Sequence, residues 1–200
     1  MGQKWTNKLT NEELELISGT YYPLLKKSAM EKVQAQLVIL GEQLQQINLA
    51  EALGNVNGYK ISRGENYQDL PYIVLDYPKI SGEGFKMLCR VVFWWGKYVG
   101  LQFFLNQKYF QADELIEQST EINDLYVLIN DQIWNNDINH QSFQLLKTMT
   151  KEEKNALKTL PYLKFIQVQP IKKTVDLFEE VAGFYQLVLS LQGLTAQQGS

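Results

Sequence analysis

In the N-terminal quarter of the chain, Met30, Val33, Leu37, Leu40, Leu44 and Ile47 recur at alternating steps of three and four residues. That spacing predicts a helix after Pro23 with these residues on one face, and Glu31, Gln34, Gln43 and Gln45 elsewhere. Val38 and Ile39 widen the stripe, and it lasts less than three heptads, which favours packing on its own domain over a separate zipper. Upstream, Thr10-Asn11-Glu12-Glu13 has the form of a capping box opening a short helix. Leu14, Ile17 and Leu9 are expected on the buried side of that helix, and Gly19 at its end. The two helices make a hairpin.

The period then changes from helical to two. Gly54-Asn55-Val56-Asn57-Gly58 is rich in residues that tolerate positive φ and predicts a turn into a sheet. Tyr59 to Arg63 is a short strand candidate, and Tyr72 to Tyr77, bracketed by Pro71 and Pro78, is a stronger one. After a turn at Gly82-Glu83-Gly84, two aromatic-rich arms, 85–95 and 98–105, fold back at Gly96-Lys97. In the second arm Val99, Leu101, Phe103 and Leu105 alternate with Tyr98, Gly100, Gln102 and Phe104, the period of a strand. The first arm is apolar on both faces toward Trp94 and Trp95, as in a central or covered strand.

Further on, 111–121 reads as helix or loop, 125–129 fits strand and helix alike, and the Asn- and Asp-rich 130–141 reads as a loop around Trp134. Thr150-Lys151-Glu152-Glu153 is a second capping box, and Leu163 to Val168 a short strand before Pro170. Val175, Phe178, Val181, Tyr185, Val188 and Leu189 predict a final helix over 174–191. Helices, then neighbouring strands, then helices give an α+β fold: an N-terminal helical hairpin, a central, mostly antiparallel sheet and C-terminal helices. We read one domain over 1–200, with a helical segment at 1–53, the α+β core at 54–195 and a polar tail at 196–200.

Composition narrows the chemistry. At 200 residues with 45% hydrophobic and 20% charged side chains the chain can bury a sizeable core. A net charge of -3, with Arg63 and Arg90 the only arginines, argues against nucleic acid as a partner. The longest apolar run, around Val91 to Trp95, is too short to span a bilayer, and no secretory pattern opens the chain, so no membrane association is expected. One cysteine, Cys89, permits no internal disulfide and fits a reducing, cytoplasmic setting. Met1-Gly2-Gln3-Lys4-Trp5-Thr6 satisfies the loose myristoylation pattern at Gly2, set against an ordinary frayed terminus.

Nucleophile, metal and cofactor patterns are sparse. His140 and Cys89 stand alone, and Cys89 alternates with Met87, Val91 and Phe93 on an apolar face that raises a thiol's pKa. Asp124, Asp131 and Asp137 lack the spacing of a calcium loop. No phosphate loop, dinucleotide fingerprint, nucleophile elbow or zinc-protease motif occurs, and no cofactor is expected. The candidate ligand-binding residues are Tyr72, Asp76, Tyr77, Lys79, Trp94 and Trp95, which would bring a carboxylate, phenols, a lysine and indoles to the rim of the sheet.

The run Asn66-Tyr67-Gln68-Asp69-Leu70-Pro71-Tyr72-Ile73-Val74-Leu75-Asp76-Tyr77-Pro78-Lys79, with Phe93-Trp94-Trp95-Gly96 after it, resembles a family of bacterial proteins of similar length. The likeness is clearest over the middle third of the chain. It implies a full-length bacterial cytoplasmic protein, which weighs against lipidation, and it carries no activity with it. Two functions stay open: a noncatalytic module that binds a protein partner or itself, and a small-molecule-binding protein or enzyme working at the Asp76 rim. A cavity shared by Asp76, Tyr77 and an indole would favour the second. A filled sheet face with an exposed apolar patch elsewhere would favour the first.

Overall fold

The computed structural model describes residues 8–46, 58–79, 84–110 and 112–171. In chain order the elements are α1 (Asn11–Ser18), α2 (Tyr21–Gln45), β1 (Lys60–Tyr67), β2 (Leu70–Tyr77), β3 (Met87–Trp94) and β4 (Tyr98–Asn106). Then come α3 (Ala112–Ser119), β5 (Leu125–Leu128), β6 (Phe143–Leu145), a 3-10 turn (Leu146–Thr148), α4 (Lys151–Leu157) and β7 (Tyr162–Gln169). The seven strands form one sheet in the order β1-β2-β3-β4-β7-β5-β6, antiparallel at every pairing. The expected α+β class holds. Of the expected C-terminal helices, the one at 174–191 lies outside the described residues, as do Gly2 and Ile47.

Both capping boxes form. Thr10 Oγ1 accepts from the Glu13 N–H at 3.2 Å while the Glu13 carboxylate accepts from the Thr10 N–H at 2.6 Å. Thr150 and Glu153 repeat the exchange at 3.2 and 2.7 Å. These backbone bonds hold both glutamates below the usual carboxylate range. The strand at Tyr59 to Arg63 runs further than expected, to Tyr67, and turns into β2 through Gln68 and Asp69, both at positive φ (50° and 63°). Hairpin turns of this kind usually announce themselves with Asn-Gly. Here Asn66 Oδ1 supports the turn by accepting from the Asp69 N–H at 3.2 Å.

Alternation along the strands divides the sheet into two faces. On the first lie Ile73, Leu75, Tyr77, Cys89, Val91, Phe93, Leu101, Phe103 and Phe165, in one core with Met30, Leu37, Leu40 and Leu44 of α2, Leu115 and Ile116 of α3 and Leu157 of α4. The inner stripe of α2 is therefore packed as its spacing predicts. Its closest approach is at Gly41, where a Cβ would lie 2.6 Å from the Tyr59 ring. Ile39 instead points outward, 54% exposed. The larger correction concerns α1: it buries no residue at all, and Leu9, Leu14 and Ile17, expected on a buried side, are 52%, 47% and 65% exposed.

Candidate functional site

The second face of the sheet carries Tyr72, Val74 and Asp76 on β2, Arg90, Val92 and Trp94 on β3, Tyr98, Gly100, Gln102 and Phe104 on β4, and Lys164 and Ile166 on β7, as the strand register requires. The six residues read as a ligand rim therefore do not meet. Tyr72 and Trp94 are cross-strand partners at one end of the face, and Asp76 lies four residues along β2, about 13 Å away at strand rise. Tyr77 points to the opposite face beside Cys89, and burial raises its hydroxyl to about 12. Trp95 packs against that same core from the turn after β3, and Lys79 is exposed beyond the end of β2.

Asp76 is engaged by its neighbour on β3. Arg90 donates through Nε to Oδ1 at 2.5 Å and through Nη2 to Oδ2 at 2.8 Å, a two-pronged pair with both side chains at most 15% exposed. The Trp134 ring lies over the guanidinium, 4.7 Å from Cζ to the ring centroid.

Beside this pair the loop 130–142 is drawn onto the sheet, with Asn136 at its centre. The Asn136 N–H donates to the Tyr67 hydroxyl at 3.1 Å, and its carbonyl accepts from the Tyr98 hydroxyl. Its Oδ1 accepts from Gln102 Nε2 at 2.9 Å and from Lys164 Nζ at 3.2 Å. Lys164, wholly buried, also donates to the carbonyls of Ile133 (3.1 Å) and Asn135 (2.5 Å) and sits over the rings of Phe104 and Phe143. Burial, with the Arg90 charge behind it, holds its amine well below a lysine's usual range, although three oxygen acceptors suit an ammonium. Gly100 leaves room for this closure, since a Cβ there would stand 2.8 Å from the Tyr98 ring. Burial likewise raises the Tyr98 hydroxyl, with Tyr67 and Asp137 adding to the shift.

The reading from sequence missed Arg90, Gln102, Asn136 and Lys164 as a group. The available signal was a lysine inside the apolar run Leu163 to Ile166, a position that stays charged and buried only with several oxygen partners close by.

The remaining candidates resolve simply. Cys89 is buried on the first face and its thiol is pushed upward by burial; His140 is exposed in the loop. Among the described residues no group of three His, Cys, Asp or Glu side chains is placed to hold a metal ion. No described helix is long and apolar enough to cross a membrane.

Apolar surface is concentrated at the N-terminal helices. Leu14, Leu16 and Ile17 on α1 and Tyr21, Tyr22, Leu24 and Leu25 at the start of α2 are 47% to 68% exposed. An eight-residue helix is far below the length at which isolated helices persist in water, and helical stability normally comes from packing an apolar face. No family model, curated protein or solved structure matches the chain.

Proposed function

We propose that this protein is a noncatalytic, cytoplasmic interaction module whose docking surface is α1 together with the first turns of α2. The observation that carries this reading is that α1 buries none of its residues while presenting Leu14, Leu16 and Ile17 to solvent. Exposed apolar residues in such density mark interaction sites in soluble proteins. The second face of the sheet supports it from the other side: the Asp76 carboxylate is taken by Arg90 and the centre of the face is filled by Asn136 and Trp134. The cytoplasmic setting rests on the single, buried thiol, which a reducing compartment accommodates.

The test is a photo-activated crosslinking residue placed at Ile17 or Leu24 in the full chain inside cells, with exposed Gln68 as the control position. Covalent adducts at 17 and 24 but not at 68 are expected. Their absence at both positions, or equal labelling at 68, would overturn the reading.

A further inference from the structure

Residues 130–141 close the β5–β6 hairpin as an Ω-shaped loop whose ends are tied together. The Ile129 N–H donates to the Ser142 carbonyl at 2.9 Å, one step beyond the pairing of Leu128 with Phe143. Within the loop, Asn130 Oδ1 accepts from the Gln132 N–H at 3.0 Å, Asn135 Oδ1 from the Asp137 N–H at 2.8 Å, and Asn139 Oδ1 from the Ser142 N–H at 3.1 Å. These bonds are not made to the sheet beneath, so they survive if the loop lifts. Its outer side, with Asp131, Gln132, Trp134 and His140, is exposed.

Attachment to the second face is concentrated on one side chain. Ile133, Asn135 and Asn136 each give an oxygen to Lys164 Nζ, which fills the three donor positions of an ammonium. Those oxygens are neutral. Arg90 answers its charge with the Asp76 carboxylate, whereas Lys164 shares the Phe104 ring with Arg90, the two cations standing 4.9 and 5.8 Å from its centroid. Among the described residues, the other titratable groups brought toward this amine are Tyr67 on β1, Tyr98 on β4, Tyr126 on β5, Tyr162 on its own strand and Asp137 in the loop; Lys86 is turned to the Tyr109 ring.

An ammonium held under the loop gives up water and stands near a like charge, and with the loop lifted it regains water. The proton is therefore held more weakly with the loop down than with it up, in keeping with the low value that burial and Arg90 give the amine. Adding the proton favours the state that binds it better.

We infer that the loop 130–141 is a strap over the second face that lifts as a unit when Lys164 takes up a proton, so that acidification from the alkaline side uncovers Lys164, Gln102 and Ile166. This stands apart from the docking reading above.

Thiol labelling of the full chain carrying Ile166→Cys, with the labelled residue located by mass spectrometry, tests it. Ile166 is wholly buried in the cluster on which Ile138 of the loop packs, and Cys89 in the first-face core reports global unfolding in the same molecule. Rates are taken relative to Gln132→Cys, an exposed position of the loop, so that the titration of the thiol itself cancels. From about pH 8.5 to 9.5, below the ordinary tyrosine and lysine values, position 166 should label faster than Cys89, and its relative rate should fall by up to about tenfold as pH rises. Asn136→Ala should speed labelling at 166 and leave Cys89 slow, and Lys164→Met should abolish the pH dependence. Should Ile166→Cys destabilise the whole chain, so that Cys89 labels equally fast, Leu128→Cys in the same cluster takes its place.

A relative rate that is flat or rises with pH, or a fall that persists in Lys164→Met, overturns the proton control. Labelling at 166 and 128 that never exceeds that of Cys89, even with Asn136→Ala, overturns the strap.

Discussion

Replacing Lys164 by methionine probes the filled second face, because it keeps the length of the stem and removes the amine that holds the loop. The substitution takes the donor away from the Ile133 and Asn135 carbonyls, while Asn136 Oδ1 keeps Gln102. A buried acceptor left without its donor costs about 1–3 kcal/mol, so stranding two carbonyls costs Lys164→Met about 2–6 kcal/mol, against which stands the parent's cost of deprotonating its amine on folding. The pH dependence follows from the direction of the shift. In the unfolded chain the amine titrates near about 10.4, and in the folded chain burial and Arg90 place it well below. Between those two values the unfolded chain binds the extra proton, so stability rises with pH there, by no more than about 1.4 kcal/mol per unit. Below the folded value the penalty is constant. Cys89, Tyr77 and Tyr98, all raised by burial, act in the opposite sense: their contribution is complete below their unfolded values and is lost as pH climbs past them. Both chains share those groups, so the difference between the chains isolates Lys164. Urea denaturation of the two proteins from about pH 8.5 to 10, just below the unfolded value, should show the parent's advantage growing with pH. A difference that is flat or shrinks with pH would refute the reasoning.

The inner stripe of α2 gives a second expectation: Leu37→Ala and Leu40→Ala, at buried positions, each lose about 2–5 kcal/mol by denaturation, while Gln36→Ala on the exposed side is nearly silent. Asp76→Ala strands the Arg90 guanidinium under Trp134 and costs about 3 kcal/mol, most of which returns when Arg90→Met is added, as urea midpoints will show. Cys89 should take up no thiol reagent within seconds at neutral pH without denaturant, because burial disfavours its thiolate.

Elements whose signal is local were legible in the sequence. The two capping boxes, the inner stripe of α2 and the alternation of Val99, Leu101, Phe103 and Leu105 each follow from a few neighbouring residues, and each is present in the fold. Long-range placement was not legible. That β7 lies between β4 and β5, and so brings Lys164 beside Phe104, is a property of the whole sheet. The ligand rim divided for a simpler reason: Asp76 and Tyr77 are consecutive residues of one strand and must point to opposite faces. The apolar residues of α1 misled because periodicity reports that a face wants cover without saying which molecule supplies it. Ile39 was grouped with the inner stripe although it stands two residues after Leu37, about 200° around the helix, and so points outward.

The central claim is the proposal that α1 and the first turns of α2 form a docking surface, with none of the described residues of the chain burying α1. Hydrogen exchange of the purified protein, followed residue by residue at several concentrations, tests this most directly. At the lowest concentration the amides of Asn11–Ser18 should exchange far faster than those of Leu37 to Leu44. If α1 is as protected as the inner turns of α2 at the lowest concentration, its own chain holds it, and the claim fails.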